Sequence, residues 1–565
     1  MDTFLKKYLL FAILLIASIL RLWRLNSIPP HLTPDEAALG YNSYSILKTG
    51  RDEYGEFLPL IFKSFGDYKP GLYIYFALPF IELFGLNEFS VRLPSAIFGI
   101  LAVWLLYKIV YKFFDGENTQ LSIINPHLLA SISALMLTIS PWHIQFSRGA
   151  WEANISLTLS LAGIYLFLKA LKKPKQLIFS SVFFSTTLLT YQGAKLSTIV
   201  MVFVLLITFW KDFMRAVFVR NILIASFLLS FIIASPVFLS ITSGKTGRLN
   251  VFSLFSYPRP KEYLQDFLSQ GDEEVGSIIY YIFHSEALNF TRGILGRWFN
   301  HFSGRFLFFV GDWQNPRHSS PNHGVLLLID LLLLPAGFVF LIKKRSKISI
   351  FVFLWLILAP LPSILSRDQV HAVRAFNMVI PLVIISSLGF SEIIILSKKI
   401  KETERKLLFF GFFVFLFLVS FVFYLDSYFV HLSKHNSHLW SYGYKQIVET
   451  ITPIQNNYKE IKVQQSFAQP YIYFLFYQKY DPVEYQKQAK LVESEYKGDV
   501  GYIEKLDNIL FSAIDWPQNR KENGTLVVAD AIRIPDEELQ KGFVNLIKEI
   551  SYLNGDTAFR IVEVK

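Results

Sequence analysis

Residues 70–86, Pro-Gly-Leu-Tyr-Ile-Tyr-Phe-Ala-Leu-Pro-Phe-Ile-Glu-Leu-Phe-Gly-Leu, decide how the rest of the chain is read. They are apolar but short for a bilayer crossing, which takes about 20 residues. If they crossed, Lys108 and Lys112 beyond the next apolar run would face outward, as would Lys169, Lys172, Lys173 and Lys175. Positive residues gather on the cytoplasmic side of membrane proteins, so 70–86 is read as an interfacial or re-entrant segment.

Eleven other runs are apolar enough to span: about 8–24, 92–111, 127–145, 153–171, 176–192, 196–211, 219–241, 324–342, 348–365, 375–396 and 407–425. With 70–86 kept from crossing, every dense basic cluster falls on one side: Lys6/Lys7, Lys108/Lys112, Lys169–Lys175, Lys211/Arg215/Arg220, Lys343–Lys347 and Lys398–Lys406. The first run lacks a small-residue cleavage site and reads as a retained span with a cytoplasmic N-terminus. Residues 25–91, 146–152, 242–323, 366–374 and everything from 426 onward then lie outside.

Composition agrees. Of 565 residues, 52% are hydrophobic and 16% aromatic, too many for one soluble core. The net charge of +11 sits between apolar runs instead of along one polar face, which excludes a nucleic-acid partner as its cause. With no cysteine, disulfides, thiolate metal sites and cysteine nucleophiles are all excluded. The expected fold is a polytopic α-helical membrane protein of the plasma membrane with about eleven spans. Residues 1–425 form the membrane domain, and 426–565 a small extracytoplasmic α/β domain marked by β-prone runs at 461–463, 525–528 and 559–562.

The chemistry-bearing residues collect at the outer mouth. Thr33-Pro-Asp-Glu-Ala reads as a helix start with Asp35 and Glu36 in its first turn. Carboxylates there also complement the helix dipole with no further role. Lys69 lies in Asp-Tyr-Lys-Pro-Gly, Arg148 and Glu152 in Ser-Arg-Gly-Ala-Trp-Glu, and His371 and Arg374 in His-Ala-Val-Arg. Arg148 and Arg374 fit equally as interfacial anchors. Glu152 gains nothing as an anchor at the head of an apolar helix. Transfer from a lipid-phosphate sugar needs a carboxylate to take the acceptor's proton and cations to hold the departing phosphate. This set of groups supplies both.

Several other residues divide between recognition and packing. Trp313, Arg317, His318 and His323 suit sugar or phosphate recognition and equally an interfacial aromatic belt. Tyr41, Tyr44, Tyr68 and Tyr73 could stack on a sugar, although a tyrosine stripe on a helix is more often packing. Arg248, Arg259, Arg292 and Arg297 read as a solvated basic face.

In order, Thr33-Pro-Asp-Glu-Ala with Tyr41, Lys69-Pro-Gly-Leu-Tyr, Phe84-Gly-Leu-Asn-Glu-Phe-Ser-Val-Arg-Leu-Pro94 and Ser147-Arg-Gly-Ala-Trp-Glu152 resemble the C-type-fold (GT-C) membrane glycosyltransferases. Within these the chain is similar to the protein O-mannosyltransferase and lipid A aminoarabinose transferase group, glycosyltransferase family 39-like, over about residues 1–425. The resemblance implies inverting transfer from a polyprenyl-phosphate sugar, mannose being the commonest, to a glycan, lipid or protein acceptor on the outer face. It makes Asp35 the catalytic base with Glu36 beside it, and Glu152 a second acid where the family usually has Asp. It makes Lys69 a holder of the donor phosphate, with Gly71 where the family often has a second Pro; on the reading of the residues themselves, Arg148, His371, Arg374 and Tyr41 complete the expected donor-binding set. Some members bind a divalent metal (Mg, Mn or Zn) near the first acid, which points to His31, Asp35 and Glu36; no nucleotide cofactor is implied. Two rival readings are a polysaccharide ligase or polymerase using a diphosphate-linked donor, and a lipid or solute transporter. A transporter's ionisable residues belong near the bilayer centre within broken helices.

Overall fold

The apolar runs become helices, and the polar stretch after the first of them folds into a small scaffold of its own. The computed structural model describes residues 3–115, 125–217, 219–244, 253–465, 469–493 and 501–565. Arg248 lies outside the described residues. In chain order come α1 (Thr3–Leu22), α2 (Pro34–Thr49), a hairpin of β1 (Ile61–Ser64) and β2 (Asp67–Pro70), then α3 (Leu72–Phe84), α4 (Glu88–Phe114), α5 (Pro126–Ile139), α6 (Pro141–Ser147), α7 (Glu152–Ala170), α8 (Gln176–Thr187), α9 (Ala194–Val217) and α10 (Arg220–Thr242). Segment 70–86 supplies the end of β2 and α3. At about 1.5 Å per residue, α3 rises only about 20 Å, short of the ~30 Å hydrocarbon layer. It packs against α2 and α4.

Among the described residues, seven helices are long and apolar enough to cross a membrane: α4, α7, Ala194–Ala216, α10, Lys347–Ile364, Phe376–Lys399 and Thr403–Trp440. The pair α5 and α6, bent by 60°, makes an eighth if counted as one span. Eleven spans were expected; of the three runs outside this count, the first is the shorter apolar helix Tyr8–Leu22, and the other two have local causes. Thr187 ends α8, and turns follow it. The run expected over 324–342 becomes helical only at Asp330. Its first residues instead pair with 306–308, Leu326 N–H donating to Leu307 O at 2.8 Å and Gly324 N–H to Phe308 O at 3.1 Å.

Outward faces are apolar where lipid is the natural neighbour. On α10, Phe227, Phe231, Ile232, Phe238 and Leu239 are exposed, and so are Phe412, Phe415 and Val422 on helix Thr403–Asp426. These surfaces and helix lengths are those of a membrane protein.

The tail builds a six-stranded mixed sheet from β3 (Ile461–Gln464), β6 (Lys505–Leu506), β7 (Ile509–Ser512), β8 (Leu526–Ala529), β9 (Val544–Ser551) and β10 (Thr557–Val564), in the order β6-β7-β3-β8-β10-β9. A separate pair joins β4 (Leu491–Val492) to β5 (Tyr502–Ile503). Strand β3 runs parallel to both β7 and β8, and β10 pairs antiparallel with β8 and β9. All four residues of β8 are buried, as an unbroken apolar strand in mid-sheet requires.

The tail's helix Pro470–Tyr477 docks on α2, within one core that contains Ala37, Tyr41, Tyr473 and Phe476. The approach is close enough to demand glycine. A Cβ on Gly40 would lie 2.5 Å from the Phe476 ring and 2.6 Å from Val91.

Candidate active site

Helix α2 opens with reciprocal caps. Thr33 N–H donates to Glu36 Oε2 at 2.9 Å, and Glu36 N–H donates to Thr33 Oγ1 at 3.3 Å, with Pro34 in the first turn. This fixes the helical phase, so that Asp35, Ala38, Leu39 and Asn42 fall on one face at helical spacing. That face lines a cleft. Phe62, Ser64, Lys69 and Pro70 of the hairpin form the other wall, with Ile74 of α3 and Glu152 from the first turn of α7.

Asp35, Lys69 and Glu152, far apart in sequence, therefore share one cleft. The Lys69 ammonium donates to the Asp35 carboxylate. The Asp35 side chain is 54% exposed and that of Lys69 18%. Gly71 has a steric reason, since a Cβ there would lie 1.8 Å from the Phe62 ring that forms the cleft wall. A second proline at this position would meet the same ring.

The other expected site residues lie outside the cleft lining. Glu36 is buried, accepting from Arg92 Nε at 2.9 Å and from the backbone N–H of Ala150 at 2.9 Å. It ties α2 to α4 and to the turn before α7. Arg148 is fully buried and donates to the carbonyls of Leu20, Trp23 and Ile28 at 2.7–2.9 Å, so its fork closes the end of α1. Tyr41 is buried, its hydroxyl donating to Tyr480 O at 3.2 Å, and Tyr73 donates to Val91 O at 2.8 Å; both are packing residues. Arg374 pairs with Asp368 at 2.5 Å and donates to Ser366 Oγ at 2.8 Å. His371 stands beside His318, ring centroids 5.0 Å apart.

The metal set expected from His31, Asp35 and Glu36 does not assemble. Burial pushes the His31 imidazole down to about 4, and its Nε2 accepts the backbone N–H of Lys445 at 3.3 Å. The Glu36 carboxylate is held by Arg92. Among the described residues, the His and carboxylate atoms that converge are those of Asp312, His318 and His371.

Of the arginines read as a solvated face, Arg259 pairs with Glu286 at 2.6 Å, whereas Arg297 is buried and donates to the carbonyls of Arg367 and Asp368 at 2.9 and 3.2 Å.

Asn42 of the cleft lining and Glu53, bonded to it, were not singled out from sequence. Asn42 was within reach, being seven residues after Asp35 on the same helical face. Glu53 carries no such signal. Its Oε1 accepts from Asn42 Nδ2 at 3.1 Å and its N–H donates to Asn42 Oδ1 at 3.0 Å. It is fully buried, and desolvation pushes its carboxyl up to about 8.

Residues 68–239 match the family of dolichyl-phosphate-mannose-protein mannosyltransferases. That match begins just before Lys69 and does not reach Asp35. A search of curated proteins finds no match. Among solved structures, ArnT from Cupriavidus metallidurans bound to undecaprenyl phosphate is similar, with 12% identity, 99% of this chain and 98% of that chain covered, and a TM-score of 0.53. The oligosaccharyltransferase of Archaeoglobus fulgidus, tethered with an acceptor peptide, has 11% identity, 99% and 74% coverage, and a TM-score of 0.50. At such identities the likeness is one of fold. By sequence over residues 68–239 and by fold over nearly its whole length, the chain resembles the C-type-fold glycosyltransferases of the ArnT and protein mannosyltransferase type.

Proposed function

We propose that the chain transfers a sugar from a polyprenyl-phosphate donor to a hydroxyl or amine acceptor at the non-cytoplasmic rim of the membrane. The observation that carries this reading is the meeting of Asp35, Lys69 and Glu152 in one cleft. Asp35 takes the acceptor's proton as the acceptor atom bonds to the anomeric carbon. The bond from that carbon to the phosphate oxygen breaks, and its electron pair leaves with the lipid phosphate. Lys69, which pairs with Asp35, turns its charge to the phosphate as negative charge grows there. Departure of the lysine frees Asp35 to act as base. Glu152, opposite, orients the acceptor. The tail from 426 onward is the outer domain that holds α2 in place, and residues 1–425 carry the membrane bundle.

The test uses full-length protein in lipid nanodiscs with polyprenyl-monophosphate and polyprenyl-diphosphate sugars, scored for released lipid carrier. Release from the monophosphate donor alone is expected. Use of the diphosphate donor alone would favour the ligase reading, and lipid counterflow without any release would make the chain a transporter.

A further inference from the structure

We propose that Asp312, His318 and His371 form a zinc site that fastens the loop at 311–318 to the turn at 366–374. One ligand atom from each residue lies within 4.8 Å of the others. Two imidazoles and a carboxylate are a donor set that zinc accepts, and a chain without cysteine must use nitrogen and oxygen. His318 Nδ1 and Asp312 Oδ2 are 2.9 Å apart. That separation is a hydrogen bond, and an opening of a few tenths of an ångström brings the pair to the edge of a tetrahedral zinc site.

The surroundings are already arranged around these groups. Ala372 N–H donates to Asp312 Oδ2 at 2.8 Å, and Asn315 N–H to Asp312 Oδ1 at 3.0 Å, so both carboxylate oxygens are aimed. His371 N–H donates to His301 Nε2 at 3.3 Å, which fixes the backbone of the third ligand. Such outer contacts are how proteins orient metal ligands. His318 is walled by Phe146 and Trp151, with ring centroids 5.9 and 5.3 Å away, and Asp312 is fully buried.

Charge points the same way. Among the described residues, Asp312 is ion-paired with His318 and with no Lys or Arg. A buried carboxylate with no Lys or Arg paired to it is one to which a divalent ion brings counter-charge. Arg317 and Arg374 both face the two histidines, and the charge of Arg374 is answered by Asp368. Trp151 directly precedes Glu152, so the fastened loops buttress one end of the cleft.

Zinc content of the full-length protein purified in detergent tests this. About one equivalent per chain should survive dialysis, fall away in His318→Gln and His371→Gln, and persist in the exposed-histidine control His438→Gln. Should the site variants fail to fold, cobalt loaded into the stripped wild-type chain should give the visible absorption of a low-symmetry nitrogen and oxygen site, bleached by added zinc. Wild-type protein that neither retains zinc nor takes up cobalt would overturn the proposal. So would His318→Gln and His371→Gln variants that keep a full equivalent.

Discussion

Arg92 Nε donates to Glu36 Oε1 at 2.9 Å with both side chains out of solvent, while Asp35, next to Glu36 in the chain, stands exposed in the cleft. Two adjacent acids thus have opposite surroundings. Along α2 one residue is a turn of about 100°, enough to move a side chain from the cleft to the α4 interface.

Substitutions at the two acids should therefore separate stability from chemistry. Removing one partner of a buried ion pair leaves the other uncompensated, at a cost of about 3–5 kcal/mol. Arg92→Leu and Glu36→Gln should lower the thermal midpoint in detergent, with loss of activity following loss of fold. Asp35→Asn should leave the midpoint near that of the wild type.

Lys69→Ala should lower kcat/KM for the lipid-phosphate donor by about 100-fold, the scale of losing one charged group aimed at a leaving group. Lys69→Arg keeps the charge and should recover part of that loss. Steady-state kinetics with the donor varied checks both.

Glu53 gives a pH dependence with a defined sign. Asn42, Asp52, Lys69 and the phenols of Tyr41, Tyr54, Tyr471 and Tyr485 face it, and burial lifts its carboxyl from 4.5 to about 8. Between those values the folded chain holds a proton that the unfolded chain has released. Stability therefore declines as pH rises through that window and is level on either side of it. Glu53→Gln is neutral at every pH. From about pH 5 to pH 8 the wild-type thermal midpoint should fall relative to that of Glu53→Gln; parallel curves would count against a neutral Glu53.

Gly40→Val should detach the tail from α2, because the added atoms collide with Phe476 and Val91. Limited proteolysis should then cut between 426 and 480 faster than in the wild type, with activity lost.

Much of the cleft was legible in sequence because its members carry local signals. Thr33-Pro34 announces a helix start, Glu152 is an acid with no anchoring value, and Lys69 is poised before the proline that ends the hairpin. Arg148 was misplaced because its partners, the carbonyls of Leu20, Trp23 and Ile28, lie more than a hundred residues away and leave no mark on its neighbours. Glu53 was missed because burial, not its immediate sequence, sets its character. In the tail, β3, β8 and β10 followed from β-prone runs. Edge strand β9, with Leu546 exposed and polar residues interleaved, did not.

Sugar transfer by Asp35→Asn from a polyprenyl-monophosphate donor, measured on protein with a wild-type thermal midpoint, bears most directly on the cleft. With Asp35 as the base, the rate should fall by at least about 100-fold while donor binding persists. An unchanged rate in the folded variant would remove Asp35 from the reaction and with it the assignment of this cleft.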